Sequence, residues 1–135
     1  MPTRVNASNA VVGAVCDAAA LFNVPAFRMN TRTVEVVGVG GRSRPMFFGQ
    51  WTDDLGVLHR KGMADLLLTP RIAIWTDNLK VTVPLWVECK SGSGELEPDQ
   101  ILFRDFVLRG GAYYLEAHDC ADVVIQWFSE FGVVR

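Results

Sequence analysis

The sequence lacks the marks of a membrane or exported protein. Its longest apolar stretch, residues 10–21, is too short and interrupted to cross a bilayer, and the first residues lack the pattern of a signal peptide. It has only three cysteines, Cys16, Cys89 and Cys120, which cannot all pair and show no CxxC spacing. We therefore expect reduced thiols, no zinc site and a cytoplasmic protein.

The sequence has no strong net charge, because its 13 basic and 15 acidic residues give a formal charge of −2. This balance argues against a protein that coats nucleic acid by bulk electrostatics. The charges are nevertheless unevenly distributed. Bases outnumber acids between residues 28 and 71, and acids outnumber bases from residue 88 onwards. This asymmetry permits a local phosphate-binding face on an acidic body, although many solvated surfaces share it.

The sequence does have the composition of a folded domain. Half of its 135 residues are hydrophobic and 21% are charged, and no internal repeat or linker divides the chain. We expect one domain over residues 1–135.

Apolar periodicity and turn residues predict the order of the elements. Helices are expected at 9–22, at 99–108 after Pro98, and from a cap at Asp119 through 131. Strands are expected at 26–31, 33–39, 46–50, 64–69, 72–75, 81–90 and 112–117, with a loop over 51–61. This order is typical of an α/β fold with a mixed β-sheet flanked by α-helices.

Polar residues occupy positions where ordinary core strands would carry apolar ones. Asp65 precedes three leucines, and Glu88 and Lys90 end another apolar run. Side chains two apart on a strand share a face, so Glu88 and Lys90 point the same way while Cys89 faces the other side as a core filler. If the two strands are neighbours, Asp65 and Glu88 converge and Lys90 lies beside them.

Two adjacent carboxylates repel each other unless a cation neutralises them. Oxygen ligands of this type suit Mg²⁺ or Mn²⁺, which polarises a phosphate and lowers the pKa of a bound water. The backbone carbonyl of Cys89 is a possible further ligand, and Lys90 can orient the water or stabilise developing negative charge. The alternative is a half-exposed strand on which Glu88 and Lys90 form a surface pair.

Four motifs in this sequence resemble the VRR-NUC family of the PD-(D/E)XK nuclease superfamily. They are Arg28-Met29-Asn30-Thr31, Gly62-Met63-Ala64-Asp65, Val87-Glu88-Cys89-Lys90 and Leu96-Glu97-Pro98-Asp99-Gln100. The resemblance is most specific between residues 62 and 111. Ala64 stands where the family usually has proline.

The resemblance implies a restriction-endonuclease-like fold and hydrolysis of DNA phosphodiester bonds with Mg²⁺ or Mn²⁺. Stand-alone members are phage or bacterial enzymes, associated with homodimers and with structure-selective cleavage that includes Holliday junctions. By the same resemblance, Asp65 and Glu88 are metal ligands, Lys90 is the catalytic lysine and Gln100 assists near the metal-bound water.

Five residues are candidates for contact with DNA. Arg28 and Asn30 alternate on one strand and can both reach towards the scissile phosphate, although structural pairing is equally compatible with the sequence. Arg42 and Arg44 flank a turn and Lys61 adjoins the Gly62 motif, where a solvated loop is the alternative.

Two histidines and the final helix complete the predictions. His59 lies six residues before Asp65 and can assist at the site, unless it is a simple exposed loop residue; His118 is expected at the surface.

The final helix carries Val123, Val124, Trp127 and Phe128, which is more apolar surface than a small monomer easily hides. We therefore expect a homodimer.

Two other functions remain open at this point. A non-catalytic nucleic-acid-binding or assembly module would keep the fold without the reaction, although the intact Asp65, Glu88 and Lys90 set disfavours it. A sequence-specific restriction enzyme would need a separate base-reading unit, for which the chain is short.

Overall fold

The computed structural model describes residues 7–29, 33–47, 49–74 and 79–134. Within them the chain is a mixed α/β protein with three helices, α1 (Ala7–Leu21), α2 (Pro98–Arg109) and α3 (Asp122–Glu130). Its strands are β1 (Ala26–Arg28), β2 (Thr33–Val37), β3 (Ser43–Phe47), β4 (Trp51–Thr52), β5 (Leu58–His59), β6 (Leu66–Leu68), β7 (Arg71–Ile74), β8 (Leu79–Thr82), β9 (Leu85–Lys90) and β10 (Tyr113–His118). The predicted α/β class is confirmed.

The central sheet has four strands in the order β1-β6-β9-β10. Strand β6 is antiparallel to both β1 and β9, whereas β9 and β10 are parallel. Parallel neighbours need a long crossover connection, which here contains helix α2. The sheet is therefore mixed, and β9 lies inside it with a partner on either side.

Helices α1 and α3 pack on one face of the sheet and α2 packs on the other. The first face buries Leu66, Val87 and Cys89 against both helices in the larger core. On the second face Phe103 of α2 packs among Trp51 and Trp86 in a smaller aromatic cluster. Because β9 alternates its side chains between these faces, it contributes to both cores.

The predicted loop at 51–61 is wrong, since β4 and β5 form a short antiparallel hairpin there. Trp51 stacks on His59 with a centroid distance of 4.1 Å, and its indole N–H donates to the Lys61 carbonyl at 2.8 Å. These contacts join the two strands of the hairpin and are not encoded in local strand propensity.

Two other predicted boundaries are also wrong. The single strand at 81–90 is divided into β8 and β9, because Pro84 has no N–H to continue a ladder. Helix α3 begins at Asp122 with Ala121 as its N-cap. Asp119 does not cap it: this residue has a φ of 62°, and its carboxylate accepts the Gly92 N–H at 2.6 Å.

The apolar side chains of α3 lie inside the chain's own core. Val124, Trp127 and Phe128 are buried and Val123 packs against them. The surface argument for a homodimer is thereby removed, and the dimer stays a prediction without it. No helix in the described ranges is long and apolar enough to span a bilayer.

Gly62 holds the segment before Asp65 against the first turn of α2. Its φ is +97°, and a Cβ at this position would collide with the backbone carbonyl of Asp99. Only glycine satisfies both requirements. The glycine of the Gly62 motif is therefore explained by a close backbone approach.

We expect Gly62→Ala to lower the free energy of unfolding by roughly 3 kcal/mol, because strain at positive φ adds to the collision. Gly56→Ala is the matched control, since its φ of +81° is similar and its Cβ would meet nothing within 4 Å. Its expected cost is about 1 kcal/mol in the same urea titration. Equal losses in the two variants would contradict the proposed collision.

Candidate active site

The register between β6 and β9 brings the predicted carboxylates together. Leu66 pairs with Val87, so the next position along each strand sets Asp65 opposite Glu88. The side chains of opposite residues share a face, and the two carboxyl groups are in contact. The convergence expected from the sequence is found.

Backbone hydrogen bonds fix Asp65 between two strands. Its Oδ2 accepts the Cys89 N–H at 2.8 Å, and its carbonyl accepts the Met29 N–H at 2.8 Å. The turn before β6 is thus attached to both β1 and β9. One carboxylate oxygen of Asp65 is thereby held in place by the backbone of β9.

Gln100 connects helix α2 to both functional residues of β9. Its Nε2 donates to Glu88 Oε1 at 3.1 Å, and its Oε1 accepts from Lys90 Nζ at 2.9 Å. The same Oε1 accepts the backbone N–H of Glu97 at 2.8 Å, at the start of the helix. The orientation of the amide follows from two of its partners, because the Lys90 ammonium and the Glu97 backbone N–H can only donate.

Glu88 is a buried carboxyl group in an unfavourable electrostatic setting. It is 4% exposed, and burial followed by the charge of Asp65 raises its pKa to about 8. Lys90 Nζ lies 4.0 Å from Glu88 Oε1 and acts in the opposite direction, but it is the smaller effect. The second oxygen, Oε2, is buried with no hydrogen-bond partner among the described residues. Such a site favours an added positive charge.

Burial extends from Glu88 to the Tyr114 hydroxyl on the neighbouring strand β10. The Tyr114 hydroxyl is buried without a partner among the described residues, and burial followed by the charge of Glu88 raises its pKa. Electrostatic interactions in this environment are stronger than at the surface.

The donor set fits a hard divalent cation held by few protein ligands. Asp65 and Glu88 supply carboxylate oxygens, and the Cys89 carbonyl leaves the strand on the same side as the N–H that binds Asp65. The described residues contain no group of three or more Asp, Glu, His or Cys side chains able to hold a metal. Two carboxylates with water and substrate oxygens are the set that Mg²⁺ commonly uses.

The Cys89 thiol takes no part in this site. It is buried in the core on the opposite face, and burial raises its pKa to about 12. This agrees with the predicted orientation, and all three cysteines are free.

The predicted DNA-contacting residues are dispersed. Arg28 pairs with Leu66 and so lies on the face away from Glu88, which argues against a contact with a phosphate bound there. Asn30 is outside the described residues. Arg42 and Arg44 are exposed on the β2–β3 hairpin, and Lys61 is exposed immediately before Gly62.

His59 has a structural role, which is neither the assisting role nor the exposed loop position that the sequence left open. Its Nε2 lies 2.7 Å from Asp53 Oδ2 while its ring stacks on Trp51. This arrangement ties the β4–β5 hairpin together.

Sequence reasoning missed Glu116 and underestimated His118, which lie on β10. The parallel register pairs Glu116 with Glu88 and His118 with Lys90, so both share the face of the candidate site. The alternation of Glu116 and His118 along one strand was a visible signal. The strand's neighbour, however, was not visible from the sequence.

No family model, no curated protein and no solved structure matches the chain. The function of the site has to be inferred from its chemistry.

The raised pKa of Glu88 predicts a pH-dependent stability in metal-free buffer with EDTA. An acid whose pKa rises from 4.5 to about 8 on folding favours the native state only while protonated. Unfolding free energy should therefore fall as pH rises between these values. Glu88→Gln should remove this decline and stabilise the protein at pH 9 by on the order of 2 kcal/mol.

Urea titrations at pH 5, 7 and 9 measure this effect, with the exposed Glu130→Gln as the matched control. If the unfolding free energy of the wild-type protein at pH 9 equals or exceeds its value at pH 5, ionisation of Glu88 does not destabilise the native state.

Proposed function

We propose that the chain is a metal-dependent nuclease that hydrolyses DNA phosphodiester bonds with Mg²⁺ or Mn²⁺. The proposal includes a restriction-endonuclease-like fold of the VRR-NUC type. The observation that carries it is the buried Glu88, which contacts Asp65, is flanked by Lys90 and has one oxygen without a hydrogen-bond partner among the described residues. A structural carboxylate in a core would instead have its hydrogen bonds satisfied.

Asp65, Glu88 and the Cys89 carbonyl would hold the cation. When bound, the cation supplies Lewis acidity to the phosphate and to the attacking water. Oδ2 of Asp65 is restrained by the Cys89 N–H and Oε1 of Glu88 by the Gln100 amide, so both carboxylates are oriented before substrate arrives.

Lys90 supplies the positive charge that the reaction requires. Hydrolysis of a phosphodiester accumulates negative charge on the non-bridging oxygens and on the leaving oxygen. The ammonium group is held by Gln100 Oε1 on the same face as Glu88 and can stabilise that charge or orient the water. Gln100 is a positioning residue, because it acts through Glu88 and Lys90.

The proposed substrate is branched DNA such as a Holliday junction, cut by a homodimer in the cytoplasm of a bacterial or phage-infected cell. This part comes from the family resemblance alone. The exposed Arg42, Arg44 and Lys61 are suited to phosphate contacts around such a substrate.

A non-catalytic nucleic-acid-binding module is the alternative. The small number of ligating side chains in the described part of the chain favours it. Calorimetry with Mn²⁺ separates the two functions: the nuclease should bind the ion, and Glu88→Gln should abolish binding.

Lys90→Ala is expected to reduce cleavage by at least about 10³-fold without unfolding the protein, because no other described cation lies against Glu88. The assay uses labelled four-way junction, flap, duplex and single-stranded DNA with Mg²⁺ or Mn²⁺. Lys80→Ala, on the exposed strand β8, is the matched control and should retain wild-type activity. If neither metal supports cleavage of any substrate by the wild-type protein, the binding module becomes the better explanation.

Gln100→Ala should produce an intermediate defect, with cleavage or Mn²⁺ affinity lowered about 10- to 100-fold. The loss of its hydrogen bonds frees Lys90 and leaves Glu88 Oε1 without its donor. Gln126→Ala on α3 is the control, since Gln126 bonds only to the exposed Glu130 among the contacts described. Unchanged cleavage and Mn²⁺ affinity in Gln100→Ala would show that the amide has no positioning role.

A further inference from the structure

The two-stranded ribbon formed by β2 and β3 ends in the most exposed apolar side chain among the described residues. The two strands pair with each other and with no other described strand. Val39, in the connection between them, is fully exposed, and Val37 at the end of β2 is 72% exposed. Neither side chain contributes to the two cores, so the end of the ribbon is available to a partner.

The two arginines of the ribbon lie on one of its faces. Arg44 pairs with Val36, and the carbonyl of Arg42, immediately before β3, accepts the Gly38 N–H at 2.9 Å, which continues the same ladder. Residues two apart in an extended chain share a face, so both arginines project together. Residues 36–52 contain no Asp or Glu. The end of the ribbon is therefore positively charged on a protein whose net charge is −2.

The dimensions of the ribbon match the major groove of double-stranded DNA. Paired strands lie about 4.8 Å apart, and with their side chains they fit a groove about 12 Å wide but not a minor groove of about 6 Å. The tip is narrow, because a Cβ at Gly40 or Gly41 would meet nothing within 4 Å and both glycines have a positive φ.

The chemistry of the ribbon favours DNA over a protein partner. A protein could bury Val37 and Val39, but only a polyanion also uses a basic face without any acidic neighbour. In the major groove, arginine binds phosphates and the edge of guanine, and an apolar side chain contacts the methyl group of thymine.

The ribbon begins close to the candidate active site. The Met29 N–H donates to the Asp65 carbonyl at 2.8 Å, and β2 begins at Thr33. The four residues from Met29 to Thr33 span at most roughly 14 Å, so the base of the ribbon and the carboxylates can contact one DNA molecule.

We propose that the β2–β3 ribbon enters the major groove of a double-stranded arm next to the cut. The inference rests on the proposed nuclease function and narrows its substrate to DNA with a duplex arm. Arg42 and Arg44 bind phosphates and base edges from one face of the ribbon, and Val39 packs on base edges at the tip.

The first test measures binding in EDTA, where no cleavage occurs. Fluorescence anisotropy compares a labelled duplex with each of its single strands, and the duplex should bind about tenfold more tightly. Replacing cytosine by glucosylated 5-hydroxymethylcytosine fills the major groove and should remove this advantage. Netropsin, which occupies the minor groove, should leave the advantage unchanged.

Ribbon variants test the contacts in the same assay. The double variant Arg42→Ala/Arg44→Ala should weaken duplex binding about tenfold and reduce the slope of log affinity against log salt by about two, because each lost phosphate contact removes about 0.9. Val39→Asp should also weaken binding about tenfold, since it brings a carboxylate into the groove. Lys80→Ala and Ala73→Asp, exposed on the β7–β8 hairpin, are the matched controls and should change the affinity less than about twofold, because salt screens distant charges.

Equal affinity for the duplex and its single strands would overturn the inference, and so would unchanged duplex binding by Val39→Asp. If this variant lost a dimer in sedimentation but kept its DNA affinity, the ribbon would be a protein contact instead. Cleavage assays with Mg²⁺ separate the inference from the nuclease proposal. Duplex binding through the ribbon without any cleavage leaves the ribbon and removes the nuclease. Cleavage of every substrate at wild-type rates by the ribbon variants leaves the nuclease and removes the ribbon.

Discussion

The side-chain amide of Gln100 connects helix α2 to strand β9, and the candidate site depends on it. One oxygen accepts from Lys90 and from the helix's own N-cap, and one nitrogen donates to Glu88. The amide therefore sets the position of the helix start and of both charged groups at once. The first turn of the same helix also contacts the segment before Asp65. A glycine is required at position 62, because a side chain there would collide with the Asp99 backbone.

The site is maintained at a cost to stability. The Glu88 carboxyl group is 4% exposed, contacts a second carboxyl group and has one oxygen that no described residue binds, so it opposes folding whenever it is ionised. The aromatic packing of Trp51, Trp86 and Phe103 around the same face offsets part of this cost. An unfavourable electrostatic setting of this kind in a mostly apolar strand is typical of functional sites.

Much of this site could be predicted from the sequence, because it depends on local rules. Strand alternation placed Glu88 and Lys90 on one face and Cys89 on the other. Asp65 was identified because a charged residue is unusual directly before three leucines. These inferences needed only strand periodicity and one correct pairing, whereas Gln100 was predicted from the family resemblance.

The errors have a common physical origin in contacts that local propensity does not encode. The β4–β5 hairpin is stabilised by the stacking of Trp51 on His59, and neither residue predicts the other in sequence. The proximity of Glu116 to Glu88 depends on a parallel pairing through a helical crossover, which has no local signal. Aspartate commonly caps helices, but the carboxylate of Asp119 accepts the Gly92 N–H instead. The end of β10 lies beside the loop that contains Gly92.

Strand β9 has hydrogen-bonded neighbours on both sides, whereas β2–β3, β4–β5 and β7–β8 each form two-stranded sheets. Amide groups in an interior strand exchange with solvent only through the larger, cooperative openings of a protein, and those of isolated hairpins exchange through small local ones. Glu88 and Lys90 lie at the end of this interior strand, paired with β10, so we expect their backbone to open later than the hairpins. Fluctuations that fray the hairpins leave the spacing of the two charged groups intact, so the geometry of the site persists for as long as the central sheet does.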